Sequence, residues 1–151
     1  MSSPKPTVLI LCTGNSCRSH LAEGILRQAA GDLLEVASAG SKPAGYVHPL
    51  AIKALQEIGI DISKHKPMTF EELEDWEGLN FDLIVSLAPE AHHKALDLTR
   101  TIAADVEYWP TQDPTAVEGS REQRLDAYRE VRDQLLDRIR KRFGRESSGN
   151  E

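Results

Sequence analysis

The stretch Cys12-Thr13-Gly14-Asn15-Ser16-Cys17-Arg18-Ser19 sets a thiol and a guanidinium at the two ends of a short glycine-containing loop. An apolar run over 7–11 precedes it and reads as a buried parallel strand; residues 21–26 read as the start of a helix. Backbone N–H groups entering a helix lack intrahelical partners. They converge on an anion, and the helix dipole favours negative charge there. Gly14 permits a backbone that a Cβ would obstruct, and Asn15 tolerates the left-handed region better than most residues. Arg18 offers a planar fork of donors for two oxygens of a phosphate-like group, and the Ser19 hydroxyl can donate to the sulfur of Cys12. All of these favour the thiolate, so a thiol of ordinary pKa ~8.5 falls by several units in such a setting. A thiolate beneath a phosphate held by residues 13–18 (Thr13, Gly14, Asn15, Ser16, Cys17 and Arg18) is set for in-line attack on phosphorus, giving a phosphocysteine. Cys-x5-Arg spacing alone is weak. The strand before it, the Gly-Asn inside it, the serine after it and the helix beyond make it specific. A buried thiol followed by a solvated arginine leaves that loop composition unexplained.

Expelling an alkoxide or phenoxide requires a positioned acid. Asp113, in Trp109-Pro110-Thr111-Gln112-Asp113-Pro114, is the candidate. Asp-Pro is an ordinary turn signal. Here it follows a short strand candidate at 105–108 and so falls at the carboxyl edge of the sheet, where open α/β sheets bind ligands. Beside a dianion the carboxyl holds its proton, and after the first step it can activate water.

The elements that must position these groups alternate. The pattern predicts strands at 7–11, 34–38, 81–87 and 106–108. It predicts helices at 17–30, 49–58, 89–98 and 121–143, and a short helix at 71–76. Gly59 ends the second long helix, and the last carries Leu125, Tyr128, Val131, Leu135 and Ile139 on one face. Alternation of this kind implies a parallel sheet with right-handed crossovers. The pattern predicts one domain over 7–144, with a flexible N-terminus at 1–6 and a disordered tail at 145–151.

Together these residues resemble the low-molecular-weight protein tyrosine phosphatase family, which includes the thioredoxin-type arsenate reductases. The loop matches from Cys12 to Ser19. Ser38-Ala39-Gly40, the segment 59–65 ending in His65, and Asp113-Pro114 follow in family order. The resemblance implies a flavodoxin-like three-layer sandwich with a four-stranded parallel sheet of order 2-1-3-4. It implies Cys12 as nucleophile, Arg18 as phosphate binder, Ser19 as thiolate-stabilising donor and Asp113 as general acid. Asn15 would hold the loop in its strained shape, with Ser38 and His65 supporting it. Cys12 and Cys17 would form a protective reversible disulfide; the alternative for Cys17 is simple burial on the first helical turn.

Departures from the family pattern bear on substrate. His20 stands where proline is common after Arg-Ser, and Thr115-Ala116 follow Asp-Pro where eukaryotic-type members carry aromatic residues. The loop resembles the arsenate reductases more closely. Those that relay a disulfide outward use two further cysteines, at positions matching Ala88 and Ala95 here. With two cysteines in all, this chain would need an external thiol, such as glutathione or mycothiol, to reduce arsenate.

A formal charge of −6 argues against a general nucleic-acid binder. The cysteine count fits a reducing cytosol, and the reading expects neither a signal peptide nor a membrane-spanning run. Tyr46 is the aromatic expected at the mouth of the site, with Trp76 and Trp109 expected in packing. His92 and His93 read as an exposed helix face, and the basic residues of 138–145 as a complement to the dipole of the last helix. The sequence predicts a cysteine-dependent phosphomonoester hydrolase that needs no metal or organic cofactor and acts on a phosphorylated protein or small phosphate ester. The alternatives are arsenate reduction with an external thiol and a non-catalytic oxyanion-binding regulator.

Overall fold

Burial on both faces makes 7–12 the central strand. Its side chains are apolar at nearly every position, and Val8 to Cys12 are at most 2% exposed. A computed structural model describes residues 6–12, 18–40, 47–64, 69, 72, 81–100 and 102–143. The elements are β1 Thr7–Cys12, α1 Arg18–Ala30, β2 Glu35–Gly40, α2 Pro49–Gln56, β3 Leu83–Ser86, α3 Pro89–Leu98, β4 Asp105–Tyr108, a 3-10 turn Pro114–Ala116, and α4 Arg121–Phe143. The four strands form one parallel sheet in the order β2-β1-β3-β4, with Cys12 opposite Gly40, Leu11 opposite Ser86, and Ser86 opposite Tyr108.

Alternation along β1 divides the core into two layers. Val8, Ile10 and Cys12 point into the cluster built by α1, α2 and α4. Leu9 and Leu11 point into a smaller one closed by Ala88, Ala91, Ala95 and Leu98 along α3. The predicted face of α4 is the buried one: Leu125, Tyr128, Val131, Leu135 and Ile139 are each at most 2% exposed.

Two glycines set how α1 and α2 meet. Gly59 has φ +82° and closes α2 with paired bonds, Ile60 N–H to the Leu55 carbonyl (2.9 Å) and Gly59 N–H to the Gln56 carbonyl (3.0 Å). Gly24 lets α1 lie against 60–62, since a Cβ there would stand 2.7 Å from Cγ2 of Ile62. At its other end α2 is capped by His48, whose Nδ1 accepts from Leu50 N–H (3.1 Å). Burial, and to a lesser degree Arg124, lower the His48 pKa and keep that nitrogen available as an acceptor.

Three of the boundary shifts have a plain structural setting. β2 runs on through Ala39 and Gly40 because β1 continues beside it in register; these small residues carry no strand signal of their own. β3 is shorter than predicted, with Phe81 and Leu87 buried just outside the ladder. α2 ends at Gln56, where the glycine turn takes over. The helix predicted at 71–76, with Trp76, falls largely outside the described residues, as do Tyr46, residues 1–5 and the tail from 144. The basic end of α4 is engaged with the fold: Arg142 Nε donates to Glu107 (2.8 Å), Arg138 lies 5.3 Å over the Trp109 ring, and Lys141 pairs with Asp137 (3.0 Å). Among the described residues, no helix is long and apolar enough to cross a membrane.

Candidate active site

β1 delivers Cys12 to the carboxyl edge of the sheet, and α1 begins at Arg18. The loop between them therefore spans a strand end and a helix N-terminus. Thr13, Gly14, Asn15, Ser16 and Cys17 lie outside the described residues, as does His65. Cys12 is fully buried, Ser19 is fully buried on the first turn of α1, and Arg18 is 7% exposed. The burial of a guanidinium at a helix start is costly unless its donors are used.

Among the described residues its donors are only partly used. Arg18 Nη1 donates to the Thr111 carbonyl at 2.8 Å, across 93 residues of sequence. Nη2 stands 3.8 Å from Asp113 Oδ2, beyond hydrogen-bond length. Nε has no partner among the described residues. Nε and Nη2 form the side-on edge of the guanidinium, the edge that grips two oxygens of a tetrahedral anion.

Asp113 reaches the same place by extension of the sheet. Beyond β4 the chain keeps bonding to the end of β3: Trp109 N–H to the Ser86 carbonyl (2.8 Å) and Thr111 N–H to the Leu87 carbonyl (3.0 Å). Leu87 N–H in turn donates to the Leu11 carbonyl (2.9 Å), one residue before the nucleophile candidate. Asp113 then caps the 3-10 turn. Its Oδ1 accepts from Thr115 N–H (2.9 Å) and from the Thr115 hydroxyl (2.6 Å), while the side chain stays 43% exposed. The edge thus holds a thiol, a buried fork of donors and a solvent-facing carboxyl, the parts needed to bind an oxyanion, attack it and protonate what leaves.

Ser38 faces the α1 layer, opposite Ile10, and donates to Glu23 Oε1 at 2.5 Å. Glu23 pairs with Arg27 (2.7 Å), and Arg27 donates to the Val36 carbonyl (2.8 Å). These bonds join β2 to α1. Sequence reasoning passed over Glu23; the available signal was a carboxylate on the helix face that also carries Leu26 and Arg27. It also passed over Thr111 and Thr115. Thr111 contributes a carbonyl, which no side-chain motif reports. Thr115 was readable as the third residue of an Asp-Pro-Thr turn. His92 departs from the exposed face expected for it: it is half-buried, bonded through Nδ1 to the Ser86 hydroxyl (2.9 Å) and stacked on Tyr108 at 4.5 Å, while His93 is exposed. Ala88 and Ala95 are buried in the α3 layer.

Comparison with known proteins bears on family and fold. An arsenate reductase of Bacillus licheniformis is 39% identical over 140 residues, 92% of this chain and 95% of that protein. The low molecular weight protein tyrosine phosphatase from T. tengcongensis has a similar structure, with a TM-score of 0.69 at 29% identity over 91% of this chain and 97% of that one. An arsenate reductase in the phosphate binding state gives 0.67 at 29% identity, over 90% and 95%. The family model described as low molecular weight phosphotyrosine protein phosphatase matches residues 7–147. With that match spanning the sheet, the Cys12–Arg18 loop and the Asp113 turn, this chain belongs to the low molecular weight phosphotyrosine protein phosphatase family.

Proposed function

We propose that this protein hydrolyses phosphate monoesters through a phosphocysteine on Cys12. The observation that carries the reading is Arg18, a buried guanidinium whose side-on edge has no hydrogen bond among the described residues, with a carboxyl oxygen 3.8 Å from Nη2. In the first step the Cys12 thiolate attacks phosphorus. The S–P bond forms, the P–O bond breaks, and the leaving oxygen takes its proton from Asp113. Arg18 and the N–H groups of 13–18 stabilise the equatorial charge. In the second step Asp113 takes a proton from water, whose oxygen attacks phosphorus, and the thiolate departs. Ser19 favours the thiolate in both steps, and Asn15, Ser38 and His65 support the loop. Cys12 and Cys17 form the redox pair that shields the nucleophile. The substrate is a phosphorylated protein or small phosphate ester.

A second reading, arsenate reduction, draws on the similarity to arsenate reductases. Cys12 would displace a hydroxyl from arsenate. A thiol attacking the Cys12 sulfur would send the S–As electron pair to arsenic, releasing arsenite and a mixed disulfide, which a second thiol resolves. Both thiols come from outside, because alanines stand at 88 and 95.

Hydrolysis of p-nitrophenyl phosphate at mildly acidic pH decides between the readings. Turnover by the wild type should vanish in Cys12→Ser. In Asp113→Asn it should fall by about 10²-fold, the low end for loss of a general acid. A folded, reduced wild type without turnover overturns the phosphatase reading, and arsenate with glutathione, mycothiol or thioredoxin is then the substrate to test.

A further inference from the structure

The two oxygens of Asp113 are not equivalent. Oδ1 accepts both the backbone N–H and the hydroxyl of Thr115, at 2.9 and 2.6 Å. Oδ2 faces Arg18. A protonated carboxyl has one O–H. On Oδ1 that hydrogen would stand against the Thr115 N–H and displace the hydroxyl bond, whereas Oδ2 accepts no hydrogen bond among the described residues, with Arg18 Nη2 standing off at 3.8 Å, and so can carry the proton. We propose that Thr115 is a positioning residue for the acid: its hydroxyl fixes the Asp113 rotamer and makes Oδ2 the proton-bearing oxygen. The inference rests on the phosphatase reading and adds a residue to it.

The backbone N–H bond belongs to any residue at 115 that caps this turn. The hydroxyl bond is specific to threonine or serine. It also matters because Asp113 is 43% exposed, with little packing to hold its side chain. In the first step the Oδ2 proton passes to the leaving oxygen as the P–O bond breaks. In the second, Oδ2 takes the proton from the attacking water as the S–P bond breaks. The Thr115 proton stays on Thr115 throughout.

The test uses Thr115→Val and Thr115→Ser with two esters, phenyl phosphate and p-nitrophenyl phosphate. Phenoxide is the poorer leaving group and leans harder on the acid. In Thr115→Val, kcat/KM for phenyl phosphate should fall by about fivefold or more, a fraction of what a general acid contributes, and for the nitrophenyl ester by about twofold or less. Thr115→Ser should restore both. Side-chain χ1 couplings of Asp113, from NMR of the labelled proteins, should report one rotamer in the wild type and averaging in Thr115→Val. Equal losses on the two esters, or an Asp113 already averaged in the wild type, overturn the inference. Absence of turnover with either ester in the wild type overturns the phosphatase reading instead, and the couplings still test the tether.

Discussion

In the mechanism proposed above, Arg18 is the residue on which the site turns. Its Nη1 donor is committed to the Thr111 carbonyl, so an incoming anion would meet a guanidinium already oriented by the fold. Lysine cannot reproduce this, because one ammonium can satisfy the carbonyl or grip the anion but has no planar fork to do both. Arg18→Lys should therefore lower kcat/KM for aryl phosphates by about 10²-fold, comparable to losing a preorganised transition-state donor, and should weaken competitive inhibition by inorganic phosphate. A variant that keeps wild-type phosphate inhibition would show that Arg18 does not hold the anion. The placing of Cys12, Arg18 and Asp113 at the carboxyl edge of the sheet was legible in the sequence because it depends on residue type and on punctuation by glycine and proline. Thr111 was not, because its contribution is a backbone oxygen brought into place by the β3–β4 register. Glu23 was not, because a single carboxylate in a helical pattern reads as solvated until its partners Ser38 and Arg27 are located.

At the scale of elements, the strands and long helices were readable because β1 and β3 are apolar on both faces and α4 keeps its 3.6-residue stripe. The end of β2 was not, since Ala39-Gly40 is extended by its neighbour and not by its own propensity. The seat of α1 depends on Gly24, a position where local preference and packing oppose each other. Alanine favours helix by about 1 kcal/mol over glycine. Its methyl group would lie 2.7 Å from Ile62 Cγ2 and 2.9 Å from Leu55 Cδ1, and both side chains are fully buried. Overpacking costs about 1–3 kcal/mol and should prevail. Gly24→Ala is thus expected to lower the thermal midpoint, measured by circular dichroism. A higher midpoint would mean that 60–62 yields easily.

Across the whole molecule, α2 and α4 are bolted together by charge. Glu57, at the end of α2, receives Arg129 on both oxygens (Nε 2.9 Å, Nη2 2.6 Å) and Arg132 Nη1 at 2.9 Å. Hydrogen bonding by Arg129, seconded by Arg132, lowers the Glu57 pKa from 4.5 to about 2. A carboxylate with a depressed folded-state pKa stabilises fully above its unfolded value, and that contribution disappears as pH falls from 4.5 through about 2. After allowance for solvent screening it is about 1 kcal/mol. Urea unfolding should show Glu57→Gln less stable than the wild type at pH 7, with the gap closing below pH 4.5; a gap independent of pH would contradict the ion-pair origin. The bond from Arg18 to Thr111 has a different consequence at this scale. It joins segments 93 positions apart and forms only when β4 has docked beside β3. Loop-closure entropy opposes such distant contacts, so they are completed late on a folding route. Refolding chains would carry a formed β1–α1 unit before they carry a complete reaction centre. Recovery of turnover after dilution from denaturant would then lag behind recovery of helical signal, and the lag would time the docking of the sheet's last strand.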